Sequence, residues 1–158
     1  MVVNGLKLPD AFVQFLEEHG YSDWELKGNV DAYGHPLEEA TFVPYNSVEW
    51  MEQETAPLAQ YFGPADLAGY SPEVQAKVRA ELAVVPPGFL PEIADFSQIV
   101  RFGTSPSGEP YCFDFRENSQ EPSIIHFPDV GSRWRRIAPN FETFISMIEG
   151  YAEDEEKM

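Results

Sequence analysis

The amino-acid sequence predicts one α+β domain, in which a mostly antiparallel sheet is packed by helices from both ends of the chain. Short apolar runs between residues 99 and 127 are separated by turn-rich loops, as is typical of antiparallel strands. Apolar residues at helical spacing lie near both chain ends. With 158 residues and neither an internal repeat nor a long linker, the chain has the size of a single domain that buries a real core.

A first helix is predicted between Pro9 and Gly20, because proline suits the first turn of a helix and glycine commonly follows its end. Its apolar side chains at helical spacing are Phe12, Phe15 and Leu16. The pattern after Gly20 is mixed, and its most strand-like runs are residues 24–26 and 40–43.

Two further helices are predicted in the middle of the chain. Asn46 or Ser47 can cap the first of them. The second is better marked, since Ser71 can cap it and Pro72 takes the first helical position. Its apolar residues recur every four positions, at Val74, Val78 and Leu82. The Pro-Pro-Gly run that follows cannot continue a helix, so the chain restarts there as an extended segment.

The predicted strands of the second half are residues 99–102, 111–115 and 124–127. In the middle strand, aromatic residues alternate with Cys112 and Asp114, so we expect one face to be aromatic core and the other to meet solvent. Asp114 is then exposed, and His126 is most simply a solvent-facing strand residue. Cys112, between aromatic neighbours, is interpreted as a core or half-buried small hydrophobe.

The last predicted helix follows Trp134 and ends at Gly150. Its apolar stripe consists of Phe141, Phe144, Ile145 and Ile148. Residues 152–158 are acidic and have no apolar face, so we expect a disordered tail after a domain that spans residues 1–151.

The net charge of −17, from 27 acidic and 10 basic residues, bears on the class of partner. A negative field of this size repels phosphate backbones and anionic lipids, so we predict neither nucleic-acid nor membrane binding. The same field steers cationic proteins toward contact. Acidity that serves only solubility is the simpler alternative.

The single cysteine, Cys112, excludes an internal disulfide and favours a reducing compartment. The chain start lacks the pattern of a signal peptide, and no apolar run is long enough to span a bilayer. A cytoplasmic location is expected.

The residue patterns favour no enzymatic site. The three histidines have no close pair at metal-binding spacing, and one cysteine cannot complete a zinc cluster. The chain has no Gly-x-Ser-x-Gly nucleophile elbow and no glycine-rich phosphate loop. We therefore predict no catalytic residue, no cofactor and no metal.

Aromatic residues crowd into the first half of the chain, outside the clearest apolar stripes, at Tyr21, Trp24, Tyr33, Tyr45, Trp50, Tyr61 and Tyr70. Tyrosine and tryptophan are enriched among interface anchors. Core packing is the simpler interpretation for most of these side chains, because aromatics at this density also fill the centre of a small domain.

A series of short motifs runs through the chain in a fixed order. They are Leu8-Pro9, Phe102-Gly103, Ser107-Gly108-Glu109-Pro110-Tyr111, Phe113-Asp114, Trp134 and Ile137-Ala138 with Phe141-Glu142-Thr143-Phe144-Ile145. Together these motifs resemble the SUKH superfamily, also called Smi/Knr-like, over nearly the whole chain. The resemblance implies a small α+β fold with its sheet backed by helices. Residues 56–85 are longer than expected of the minimal domain, which makes them a place for a partner-specific role.

The resemblance also implies a bacterial immunity protein, which is not an enzyme and which binds and blocks a cognate toxin domain, often a nuclease. Joined to the net charge, it predicts an acidic inhibitor of a basic toxin or another basic protein. The candidate partner-binding residues around the hairpin are Glu109, Asp114, Glu117, Glu121 and Asp129. The alternative is an intracellular regulatory or scaffold protein with a housekeeping partner, and an undescribed enzyme ranks third. The oligomeric state is open between a monomer and a weak dimer.

Overall fold

The computed structural model describes residues 1–20, 22–37, 40–128 and 133–150. Its strands are β1 Val2–Val3, β2 Leu6–Lys7, β3 Trp24–Leu26, β4 Thr41–Pro44, β5 Ile99–Thr104, β6 Pro110–Asp114, β7 Ser123–His126, β8 Arg135–Ala138 and β9 Ile148–Gly150. Its helices are α1 Asp10–His19, α2 Val48–Thr55, α3 Leu58–Phe62, α4 Pro72–Ala83 and α5 Phe141–Met147. The predicted tail, residues 152–158, lies outside the described residues.

Seven of these strands form one sheet in the order β8-β7-β6-β5-β4-β3-β9, and every neighbouring pair is antiparallel. Strands β1 and β2 form a separate small hairpin. The predicted α+β fold with an antiparallel sheet is confirmed. The three predicted strands of the second half are β5, β6 and β7, with ends that differ by no more than two residues.

The starts of α2 and α4 follow local capping chemistry, as predicted. Ser47 rather than Asn46 caps α2, because its hydroxyl accepts a hydrogen bond from the Trp50 amide at 3.1 Å. Ser71 caps α4 in the same way. Gly20 ends α1 with a φ of 62°, a left-handed conformation that glycine adopts without strain.

One face of the sheet carries an aromatic core that joins both ends of the chain. Phe12 of α1 makes edge contacts at ring-centroid distances of 5.4 Å to Phe102, 5.2 Å to Phe113 and 5.2 Å to Phe141. Phe102 and Phe113 stack at 4.1 Å across neighbouring strands. Edge-to-face pairs contribute beyond the area that they bury. Helices α1 and α5 are therefore fixed to the same strands, as predicted.

The other face is buried as well, where solvent had been expected. Its core consists of Leu58, Ile93, Ile99, Cys112, Ile125 and Trp134. The Trp134 indole donates to the Phe62 carbonyl at 3.0 Å, which fastens α3 over β5 to β8. The prediction that Asp114 and His126 meet solvent is wrong, since they are 3% and 1% exposed. Asp114 shares this second face with Cys112, whereas His126 lies on the aromatic face, where its ring stacks on Tyr111 at 4.1 Å. Alternation shows which residues share a face, but it does not show whether a distant segment covers the polar face.

The C-terminal region contains two strands that the sequence analysis missed. Residues 135–138 pair with β7 instead of forming only a turn after Trp134. The last helix ends at Met147, and Ile148 begins strand β9, which pairs with β3. The prediction that Ile148 belongs to the helix is therefore wrong. An apolar residue at this spacing fits the last turn of a helix and an edge strand equally well.

Gly103 of β5 lies against β4, opposite Pro44. A Cβ added there would overlap the Phe42 ring and lie 2.8 Å from the Val43 carbonyl oxygen. We expect Gly103→Ala to lower the free energy of unfolding by about 1–3 kcal/mol, because overpacking forces the neighbouring backbone to shift. Urea unfolding measures this change.

Gly69→Ala is the matched control, since a Cβ at Gly69 meets nothing within 4 Å. Its effect should stay within about 0.5 kcal/mol. Equal unfolding midpoints for the two variants would contradict the close approach at Gly103.

Candidate functional site

The predicted partner-binding residues fall at opposite ends of β6. Asp114, Glu117 and Glu121 line one polar cleft of about 220 Å³. Glu109 lies at the other end of the strand, inside the turn that precedes it. Asp129 lies outside the described residues. The structure thus brings three of the five candidates together.

Asp114 forms an ion pair with Arg116 inside the protein. Its two carboxylate oxygens accept from Nε and Nη2 of Arg116, both at 2.9 Å, and its Oδ1 accepts from the Arg116 amide at 3.0 Å. These hydrogen bonds raise the pKa of Arg116 above its usual value. Because the Asp114 side chain is buried and both its oxygens bind Arg116, it offers no free carboxylate to a partner.

Glu117 and Glu121 are exposed at the cleft. Glu117 lies 3.3 Å from Nη2 of Arg136, and its side chain is 77% exposed. Glu121 accepts from the Asn140 side chain at 2.9 Å. Asn140 also caps α5 by accepting from the Thr143 amide at 2.8 Å. The loop between β6 and β7 is thereby tied to the start of the last helix.

A second cleft, of about 350 Å³, lies beside the first and shares Glu121 and Asn140 with it. It adds Asp10 and Glu142, which are the acidic residues in the first turns of α1 and α5. We call the exposed carboxylates of the two clefts, Asp10, Glu117, Glu121 and Glu142, the acidic surface. Sequence reasoning missed Asp10 and Glu142, because only the packing of α1 beside α5 brings these chain ends together.

Tyr33 stands at the rim of the first cleft and is 44% exposed. Partial burial raises the pKa of its phenol, Arg136 opposes this rise, and the carboxylates of Asp31 and Glu117 add to it. The phenol therefore stays neutral and can donate a hydrogen bond. Of the other first-half aromatics, Trp24 and Tyr45 are buried and Trp50 packs partly buried against the aromatic core, whereas Tyr61 and Tyr70 are exposed. Core packing, expected for most of the group, therefore holds for only half of its six described members. Tyr21 lies outside the described residues.

Asp31 stabilises the loop that carries Tyr33. The amides of Tyr33 and His35 donate to Oδ1 of Asp31 at 2.8 and 3.0 Å. Its Oδ2 accepts from Nη2 of Arg135 in β8 at 2.8 Å, and both side chains of this ion pair are buried. One carboxylate therefore fixes both the turn and its position against the sheet.

Glu109 is buried in a polar cluster with Ser105 and His126. Its carboxylate lies 3.7 Å from Nε2 of His126 and 3.3 Å from the Ser105 hydroxyl. The Glu109 amide also donates to that hydroxyl, which is the pattern of a hairpin turn. A serine nucleophile requires a base that accepts its proton directly, whereas here the two ring nitrogens of His126 face the Pro110 carbonyl and the Glu109 carboxylate. We interpret the cluster as structural.

Cys112 is completely buried, and burial raises the pKa of its thiol. Its interpretation as a core residue is confirmed. Within the described ranges, no three histidine, cysteine, aspartate or glutamate side chains form a group that could hold a metal ion. Among the helices of those ranges, none has the length and apolar content needed to cross a bilayer.

A family model described as the SMI1 / KNR4 family (SUKH-1) matches residues 4–147. The chain belongs to this family. The resemblance inferred from the motifs is therefore confirmed. No significant match is found among curated proteins or among solved structures. In this SUKH-1 protein the motif residues Phe102, Phe113 and Trp134 are buried in the two cores. These motif residues therefore stabilise the fold and do not form a binding site.

The long segment between α2 and β5 gives the SUKH-1 protein a different kind of surface. Its exposed apolar side chains are Tyr61, Tyr70, Val74 and Val84. Helix α4 contributes no fully buried residue. Arg133 donates to the carbonyls of Glu81 and Leu82 at its last turn, which ties the helix to the chain beside Trp134. This segment covers the sheet through α3 and presents α4 outward.

The two consecutive arginines of β8, Arg135 and Arg136, allow the stabilisation from a buried ion pair to be compared with that from an exposed one. Asp31→Ala leaves Arg135 buried without its carboxylate, so we expect a loss of about 3–5 kcal/mol in the free energy of unfolding. Glu117→Ala removes the exposed partner of Arg136 and should cost no more than about 1 kcal/mol. Urea unfolding monitored by tryptophan fluorescence compares the variants. A similar loss in both would refute the structural role of Asp31.

Proposed function

We propose that this SUKH-1 protein is a non-enzymatic immunity protein, which binds a basic toxin domain through the acidic surface and thereby neutralises it. The observation that carries the proposal is the family match over residues 4–147. Its support within the chain is the position of the exposed carboxylates around two adjacent clefts.

The net negative charge of the protein lies on its surface. The arginines that pair with carboxylates are Arg101, Arg116, Arg135 and Arg136. Two of them, Arg101 and Arg135, are buried. Three carboxylates, Asp31, Glu109 and Asp114, are buried too, so the buried charges nearly balance and the net charge of −17 lies almost entirely outside the core. Such a field speeds the association of a cationic partner.

The clefts suit lysine or arginine side chains of a partner. A guanidinium or ammonium group that enters the first cleft would meet Glu121, and it would compete with Arg136 for Glu117. One that enters the second cleft would meet Asp10 and Glu142. Tyr33 at the rim adds a large, partly exposed side chain of the kind enriched among interface anchors. Carboxylates so arranged can occupy the positions that nucleic-acid phosphates take on a basic nuclease.

A rescue assay tests the proposal. The C-terminal domain of a secreted protein encoded beside this gene is expressed with and without the chain, and survivors are counted. We expect the chain to restore growth. The triple variant Glu117→Gln, Glu121→Gln, Glu142→Gln should bind the purified domain at least about tenfold more weakly, because it removes carboxylates that face the partner's cations. Calorimetry at low and high salt should show that wild-type affinity falls with ionic strength.

The matched control is Glu49→Gln, Glu52→Gln, Glu73→Gln, which removes the same number of exposed carboxylates from α2 and α4. It should keep affinity within about twofold, since the affected charges lie outside the interface. Equal loss in both triple variants would mean that only net charge matters. Failure to rescue from any neighbouring domain would favour the alternative, a regulatory protein with a housekeeping partner.

A further inference from the structure

The two edges of the main sheet are protected in different ways. The outer side of β8 is closed by backbone hydrogen bonds of 2.8–3.0 Å with the loop at residue 32 and the segment at residues 88–90. The bonds run from the amides of Ala32, Arg136 and Leu90 to the carbonyls of Ile137, Gly88 and Trp134. This edge has no room for a further strand, because its backbone groups already have partners.

Strand β9 forms the opposite edge. It is the last strand in the sheet order, and within the described ranges only β3 pairs with it. Ile148 faces the aromatic core, whereas Glu149 faces the other side of the sheet. The long segment that covers that other side packs over β5 to β8. The end of the sheet formed by β3 and β9 therefore keeps Glu149 partly exposed.

A like-charge pair marks this edge. Glu149 lies directly opposite Glu25 in the register of β9 and β3, and both are partly exposed. Like charges at directly opposed positions destabilise a strand pair. Among the described residues, no cation lies within ion-pair distance of either carboxylate. Within the described part of the chain, the main sheet thus carries a repulsive pair at the edge whose outer backbone groups have no strand partner.

We infer that β9 is a docking strand, which pairs with an extended segment of a basic partner. The partner's backbone would form hydrogen bonds with the outer side of β9. A lysine or arginine of the added strand would then lie opposite Glu149, next to the Glu25–Glu149 pair, and neutralise its charge. Alternation within the added strand predicts apolar residues on either side of the cation, next to Ile148. The basic character of the natural partner rests on the proposed function.

Charge decides between a basic partner and a second copy of this chain. Two copies paired through β9 would bring Glu149 and Glu25 of both into one cross-strand region, which adds like charges to an existing repulsion. A segment rich in lysine or arginine relieves that repulsion instead. The edge is therefore complementary to a cationic strand and opposed to self-association.

The Glu149→Lys variant separates binding from stability. It replaces the repulsive pair with an attractive Glu25–lysine pair, so we expect Tm to rise by up to about 3 °C. The same variant should bind a short peptide that alternates lysine with valine about 5–10-fold more weakly than wild type, since a cation now faces the peptide. A residue with only a structural role would not raise stability while lowering peptide affinity.

The probe is this lysine–valine peptide, with a glutamate–valine peptide of the same length as its counterpart, and amide hydrogen exchange locates binding on the full chain. We expect the lysine peptide to slow exchange in Ile148–Gly150 and the glutamate peptide to leave it unchanged. Glu52→Lys, with the same change in charge on α2, should weaken binding by less than about twofold.

Three outcomes would overturn the inference. One is equal weakening by Glu149→Lys and Glu52→Lys, and another is protection confined to the acidic surface. The third is concentration-dependent dimerisation that Glu149→Lys alters, which would make a second copy the occupant. The peptide assay needs no toxin. A negative rescue assay would therefore refute the proposed function and leave the peptide result unchanged. A negative peptide assay would refute the docking strand and leave the result of the rescue assay unchanged.

Discussion

The constraint on which this structure depends is the burial of its central strands on both faces. Strands β5, β6 and β7 carry an aromatic core on one side and the cluster around Trp134 on the other. Every polar side chain on these strands must therefore find a partner inside the protein. Asp114 is held by Arg116, and the Nδ1 atom of His126 lies 2.9 Å from the Pro110 carbonyl. The charges left for a partner therefore lie away from these central strands, on helix starts, loops and the sheet edge formed by β3 and β9.

The acidic surface follows from the way in which the chain ends meet. Acidic residues stabilise the first turn of a helix because of its dipole, which accounts for Asp10 in α1 and Glu142 in α5. Phe12 and Phe141 pack these two helices against each other on the sheet. Two locally favourable carboxylates thereby come to lie beside Glu121, and local helix chemistry yields a shared acidic surface.

Features set by neighbouring residues were predictable from the sequence, and features set by distant contacts were not. The caps of α2 and α4 depend on a serine three residues from the amide that it satisfies, so the pattern alone placed them. The burial of the second face depended on α3 and Trp134, which lie far from its strands in sequence and cover Cys112 and Ile125. The end of α5 depended on β3, which is far away in sequence and pairs with Ile148. Of the site, Glu117 and Glu121 were found because the hairpin loop is contiguous, whereas Asp10 and Glu142 required the tertiary fold.

Helix α4 is fastened through its backbone more than through its side chains. None of its residues is fully buried, and Arg133 holds its last turn by binding two main-chain carbonyls. Main-chain carbonyls are the same whatever side chains the helix carries. The outward positions of α4 can therefore be randomised in a combinatorial library with little loss of folded protein, so this helix is a natural place to graft a new specificity onto the scaffold.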